Sequence, residues 1–158
     1  MKKVWLSLCL VLLALPASAQ MDWSIVGSGG LIDETSTSLY EYTGAKVQFK
    51  AGQTGTIIVR YPVTAYGNAN GLQPPWDTLK LTGMDDSASG SVTVKLISVD
   101  ECSGEEEELC SVNASGTCSI CLFPPDIDFT TYSYYLQGTL TRTSTTANEW
   151  ITIISLGY

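Results

Sequence analysis

The chain contains no histidine. Imidazole is the commonest general base near neutral pH and the commonest metal ligand, so one absence removes much chemistry. Ser-His-Asp and Cys-His catalytic arrangements cannot exist, nor can an ordinary histidine-ligated catalytic zinc. Positive charge is also scarce, with eight Lys and Arg against sixteen Asp and Glu. No basic patch offsets that balance, and an acidic surface repels nucleic acid and anionic lipid, so nucleic acid is excluded as a partner. Nowhere do apolar residues recur at i, i+3, i+4 and i+7 for three turns, so helix is scarce. An enzyme would have to work with carboxylates alone, and nothing in the sequence sets two of them across a cleft. The expectation is a protein without catalysis.

Long apolar runs are missing except at the start. In "MKKVWLSLCLVLLALPASAQ", Lys2 and Lys3 precede a nearly unbroken apolar run over residues 4–15, then Pro16 and Ala17-Ser18-Ala19. This is the pattern of a secretory signal with an A-x-A site, cut after Ala19 to leave Gln20 first. At ~1.5 Å per residue the run is too short to cross ~30 Å of hydrocarbon, so no membrane span is expected in the mature chain. Cys9 lies inside the run rather than at its end, which argues against a lipoprotein anchor. The short basic start suits bacterial export. Residues 1–19 are therefore read as signal peptide and 20–158 as one domain, destined for the periplasm, the cell surface or the medium. Its 139 residues can bury one core and carry a net charge of −10.

What the chain does have is Thr, Ser and Gly, 47 of those 139 residues, and short segments alternating with period two. "KVQFK" sets Val47 and Phe49 on one face; "TIIVRYPV" aligns Ile57, Val59, Tyr61 and Val63. With "AGQTG" between them they read as a β-hairpin. "WSIVG", "SLYEYTG", "WDTLKLTG", "GSVTVKLISVD", "YSYYLQGTLTRT" and "EWITIISLGY" read as further strands. In "YSYYLQGTLTRT", Tyr132, Tyr134, Leu136 and Leu140 share one face, with Tyr135, Gln137, Thr139 and Thr141 on the other. In "EWITIISLGY", Trp150, Ile154, Leu156 and Tyr158 share a face. About eight short strands separated by turn signals imply an all-β antiparallel sandwich, Ig-like or jelly-roll-like. A terminal aromatic also ends outer-membrane barrels, but strands such as "KVQFK" are short for one.

Four of the five cysteines, Cys102, Cys110, Cys118 and Cys121, fall in "CSGEEEELCSVNASGTCSIC". A structural zinc site needs two close pairs, and only Cys118 and Cys121 have that spacing. "CSICLFPPD" runs into two prolines, so no helix follows to activate a thiol, and the neighbouring glutamates would raise its pKa. Export to an oxidising compartment favours pairing instead. Two disulfides clamping an exposed acidic loop are expected, with the nested set Cys102–Cys121 and Cys110–Cys118 preferred among three pairings. Calcium is a weaker expectation. "EEEE" lacks loop-ligand spacing, but Asp100, Glu101, Asp126 and Asp128 could converge at one end of the fold, with Asp85 and Asp86 a lesser candidate. Asn113-Ala114-Ser115 is a glycosylation acceptor sequence.

The remaining candidate is the loop "TAYGNANGLQPPWD". Tyr66, Asn68, Asn70, Gln73, Trp76 and Asp77 offer an aromatic surface and amide groups suited to a sugar, although Trp76 after Pro74-Pro75 also reads as a core plug. The sequence thus implies a secreted, non-catalytic structural or interaction domain, its partner an unidentified protein or a glycan. The alternative is a carbohydrate-binding module using that loop.

Overall fold

The computed structural model describes residues 22–64, 74–86, 88–125 and 127–158. The signal segment, Tyr66, Asn68, Asn70, Gln73 and Asp126 lie outside the described residues. Among the described residues eleven antiparallel strands form two packed sheets: β1 (Trp23–Val26), β2 (Leu31–Ile32), β3 (Tyr40–Thr43), β4 (Lys46–Phe49), β5 (Gly55–Val63), β6 (Thr78–Met84), β7 (Gly90–Asp100), β8 (Glu106–Asn113), β9 (Cys118–Leu122), β10 (Tyr132–Arg142) and β11 (Trp150–Gly157). Sheet I has the order β3-β4-β11-β6-β9, with β1 also paired to β11; sheet II has the order β2-β5-β10-β7-β8. The expected antiparallel β-sandwich is what forms. No described helix is long and apolar enough to cross a membrane, which says nothing of membrane-spanning strands.

The core lies between the sheets and is built by period-two alternation. β5 turns Ile57, Val59 and Tyr61 inward, β7 turns Val92, Val94 and Leu96, and β10 turns Tyr134, Leu136 and Leu140, all buried. Each such aliphatic side chain contributes about 1.5–3 kcal/mol on burial. Gly138 continues the inner row of β10 because neither the opposing sheet nor the neighbouring strand leaves space: a Cβ there would sit 2.8 Å from Ile151 Cδ1 and 2.9 Å from Val59 Cγ1. Tyr61 keeps its hydroxyl satisfied in the core by donating to Gly27 O at 2.9 Å.

The same inner row ends on a cation. Arg142 is buried; its Nε donates to Ser144 O at 3.0 Å, and a second guanidinium nitrogen donates to Thr145 O. Its Nε stands 3.8 Å from Glu149 Oε2, and the guanidinium lies over the Phe49 ring at 5.5 Å. The Glu149 side chain is wholly buried, and neither of its oxygens has a hydrogen-bond partner among the described residues. Burial pushes its pKa up; Arg142 opposes this, and Asp86 and Asp85 add to it.

Three expectations are corrected. The segments at 46–49 and 55–63 are not a hairpin, because β4 pairs β3 and β11 in sheet I while β5 pairs β2 and β10 in sheet II. Alternation identifies the face turned to the core, and strands facing each other across the core satisfy it as well as paired ones do. The intervening residues form an arch, with Gly52 at φ +77. In β11 the register shifts between Ile151 and Ile153, so half-buried Trp150 lies on the opposite face from Ile154 and Leu156. A bulge of this kind inserts one residue and reverses every side chain beyond it. Finally, the acidic segment is not a loop. Glu106, Glu107 and Glu108 open β8, the edge strand of sheet II, whose inner side buries Cys110 and Val112.

Candidate functional site

The outer face of sheet II gathers a set of recognition groups from four strands. Cross-strand register sets Arg60 beside Gln137 and Gln137 beside Lys95, with Ser111 next in line on β8. Neighbouring strands lie about 4.8 Å apart, so these four residues span roughly 14 Å across the sheet. One step along the strands, Pro62, Tyr135, Ile97 and Glu108 form a second line on the same face. The Tyr135 ring is half-buried at its centre, within hydrogen-bonding reach of Glu106 and Arg60. Burial is the main reason its pKa is raised, Glu106 adds to the rise, and Arg60 works against it.

Both cations of this face are paired. Arg60 Nη1 donates to Asp33 Oδ2 at 3.0 Å, and Lys95 Nζ donates to Glu108 Oε2 at 2.6 Å. Asp33 also accepts from the Thr35 hydroxyl at 2.7 Å and the Thr35 N–H at 3.1 Å, capping the 3-10 turn Glu34–Ser36. The Thr35 hydroxyl, then Arg60, then the Thr35 N–H hold the Asp33 carboxyl down at about 2. The face thus offers an aromatic ring, an amide and two ion pairs, with a register shift between Leu96 and Ile97 where β7 meets β8.

The loop candidates fare differently. Trp76 is 1% exposed, packed edge-on to Phe129 at 6.4 Å, and Phe129 packs on Tyr134 at 5.0 Å. It plugs one end of the core and has no surface on which a sugar could stack, which corrects its assignment as a ligand platform. Asp77 is a junction: its N–H donates to Gly157 O, its carbonyl accepts from Phe123 N–H, and its carboxylate accepts from the Thr78 hydroxyl.

The fold does bring three of the calcium candidates, Asp100, Glu101 and Asp128, to one end. Asp100 pairs with Tyr132, whose N–H donates to Asp128 O, and Glu101 N–H donates to Thr131 O. Their carboxylates, however, are already engaged, those of Asp100 and Asp128 in their own turns and that of Glu101 across to β10. Asp100 Oδ1 accepts from Cys102 and Ser103 N–H, which lowers its pKa, Glu101 Oε1 accepts from the Ser133 hydroxyl, and Asp128 Oδ1 accepts from Thr130. Among the described residues no three acidic or cysteine side chains stand together as a metal site.

The nested disulfides are replaced by one bond, Cys110–Cys121, with Cα atoms 6.2 Å apart. Strand parity explains the choice. Cys118 and Cys121 are three residues apart in β9 and so face opposite ways, Cys121 toward Cys110 and Cys118 outward. Cys102 sits in the β7–β8 turn, beyond the far end of β8, and both it and Cys118 are exposed free thiols. The bond joins the edge strands of the two sheets. Closing its 11-residue separation contributes about 3 kcal/mol on the chain-entropy model.

The site residues Arg60, Lys95, Glu106, Glu108 and Tyr135 were not singled out by sequence. The signal present was the polar row of β10, Tyr135 and Gln137 included; its neighbours on β5, β7 and β8 required the register.

No protein-family model matches the chain, and no curated protein matches it significantly. Its structure is similar to that of a family two carbohydrate esterase from Cellvibrio japonicus, with 10% identity and a TM-score of 0.42, covering 87% of this chain and 34% of that one. The chain therefore spans about a third of that esterase's length. It is similar to a variant of a family 29 carbohydrate-binding module, at 12% identity and a TM-score of 0.38, covering 87% and 80%. It is also similar to a xylan-binding domain of family 22, at 12% identity and a TM-score of 0.39, covering 90% and 89%. These likenesses are too distant to bear on ligand or site.

Proposed function

We propose that the protein is a secreted, non-catalytic binding domain that takes a carbohydrate on the outer face of sheet II. The observation that carries this reading is Tyr135 at the centre of that face, bordered by Gln137 and by the Arg60–Asp33 and Lys95–Glu108 pairs. A sugar ring presents C–H groups on its faces and hydroxyls around its rim. A site for it combines an apolar ring surface with fixed donors and acceptors. The export signal, read from residues 1–19, supports an extracellular or periplasmic setting.

The test is affinity electrophoresis and titration calorimetry with a panel of soluble polysaccharides, comparing the parent with Tyr135→Ala. Retention by at least one polymer, weakened at least about tenfold in the variant at unchanged melting temperature, is the expected result; about 1.4 kcal/mol corresponds to each factor of ten. Retention equal in both proteins places the ligand elsewhere.

A second reading, a protein partner, is favoured by the outer face of sheet I. There Ile120 and Leu122 on β9 are 57% and 74% exposed, and Val26 and Ile153 are also exposed. Sedimentation across a concentration series separates the readings, since association without glycan retention supports the second.

A further inference from the structure

We infer that the glycan bound on sheet II is uncharged, an inference that rests on the carbohydrate reading above. An acidic sugar is held by a free Arg or Lys, whose N–H groups meet its carboxylate directly. Both cations of this face already hold a carboxylate, Arg60 that of Asp33 at 3.0 Å and Lys95 that of Glu108 at 2.6 Å. An incoming uronate would have to displace one of these partners and leave two carboxylates side by side. It would also approach Glu106, which lies within reach of Tyr135 on the same face, and a domain whose acids outnumber its bases sixteen to six. Repulsion at long range and competition at contact act in the same direction.

The same pairs suit a hydroxyl. A sugar hydroxyl donates one hydrogen bond and accepts up to two, so it is best met by a donor and an acceptor held side by side. Arg60 uses Nη1 on Asp33 and also lies within hydrogen-bonding reach of Tyr135, out of the five N–H donors a guanidinium carries; Lys95 has three N–H donors and Glu108 two acceptor oxygens. Each pair offers both functions at no net charge. Gln137, between Arg60 and Lys95 in the cross-strand register, repeats that combination in a neutral side chain.

The experiment is affinity electrophoresis of the full mature chain at 0.15 M salt. The neutral probes are hydroxyethylcellulose, galactomannan and arabinoxylan; the acidic probes are polygalacturonate and alginate. The parent should be retained by at least one neutral polymer and by neither acidic one. Glu108→Gln, which frees Lys95, should gain at least threefold in retention on an acidic polymer, and that gain should vanish when Lys95→Gln is added. Retention of the parent by polygalacturonate or alginate overturns the inference while leaving the carbohydrate reading intact. Retention by no polymer of either class overturns the carbohydrate reading, and the inference with it. If Glu108→Gln melts below the assay temperature, Asp33→Asn, freeing Arg60, carries the same expectation.

Discussion

Replacing Arg142 by Met tests how the buried pair at the end of β10 is held. The substitution keeps most of the side chain's volume over Phe49 and removes the charge 3.8 Å from Glu149. Glu149 has no hydrogen-bond partner among the described residues, so its carboxylate would be left in the interior with no compensating cation. Breaking a buried pair in this way costs about 3–5 kcal/mol. For a domain of this length each kcal/mol moves the melting temperature by about 3–4 °C, so the loss should be roughly 9–20 °C. Urea unfolding at pH 7 measures the free energy directly. Adding Glu149→Leu should recover more than half of the loss, because the orphaned charge disappears. The remainder reflects Ser144 and Thr145 carbonyls that lose their donor. The pH dependence has a defined sign. The folded-state pKa of Glu149 is raised above its ordinary 4.5, so the stability linked to its protonation is complete below that value and lost as pH rises through the raised one. Without Arg142 the carboxyl is raised further, and the cost of Arg142→Met should shrink between pH 7 and pH 5. Single costs that simply add in the double variant, or a loss independent of pH, would refute this account.

Asp33 gives the opposite pH sign. Its pKa is held down at about 2, so its contribution is present above its unfolded value and lost as pH falls toward about 2; acid titration of Asp33→Asn should converge on the parent there. Cys110→Ser with Cys121→Ser should lower unfolding stability by about 3 kcal/mol in denaturant titration, whereas Cys118→Ser should change it by less than about 0.5 kcal/mol. Gly138→Ala, driven against Ile151 Cδ1 at 2.8 Å, should cost about 1–3 kcal/mol in the same assay.

The inner row of β10 was legible because Tyr134, Leu136 and Leu140 alternate with polar residues and nothing interrupts the period. β11 was less so: Ile151 and Ile154 both turn inward across a register shift between Ile151 and Ile153 that leaves no mark in composition. The glutamates of β8 read as solvated loop because an edge strand exposes one whole face, and there Glu is tolerated beside Cys110 and Val112 pointing inward. Trp76 carried two readings, plug and platform, and only its burial against Phe129 decides between them. The candidate site was hidden for a different reason. Arg60, Lys95 and Tyr135 are 35 to 75 residues apart in sequence, and a ladder of strands brings them together without any local motif.

The Cys110–Cys121 bond makes the sandwich lopsided. On one flank the two sheets are sewn edge to edge through β8 and β9. On the other, sheet II ends in β2, a strand of two residues, and sheet I ends in β3, a strand of four. The molecule is therefore bound like a book, with a covalent spine and a loosely closed fore-edge. Opening motions, protease entry and strand exchange with a neighbour should all begin at the fore-edge. Tyr135 lies on the cover, two strands in from the spine, where those motions disturb it least.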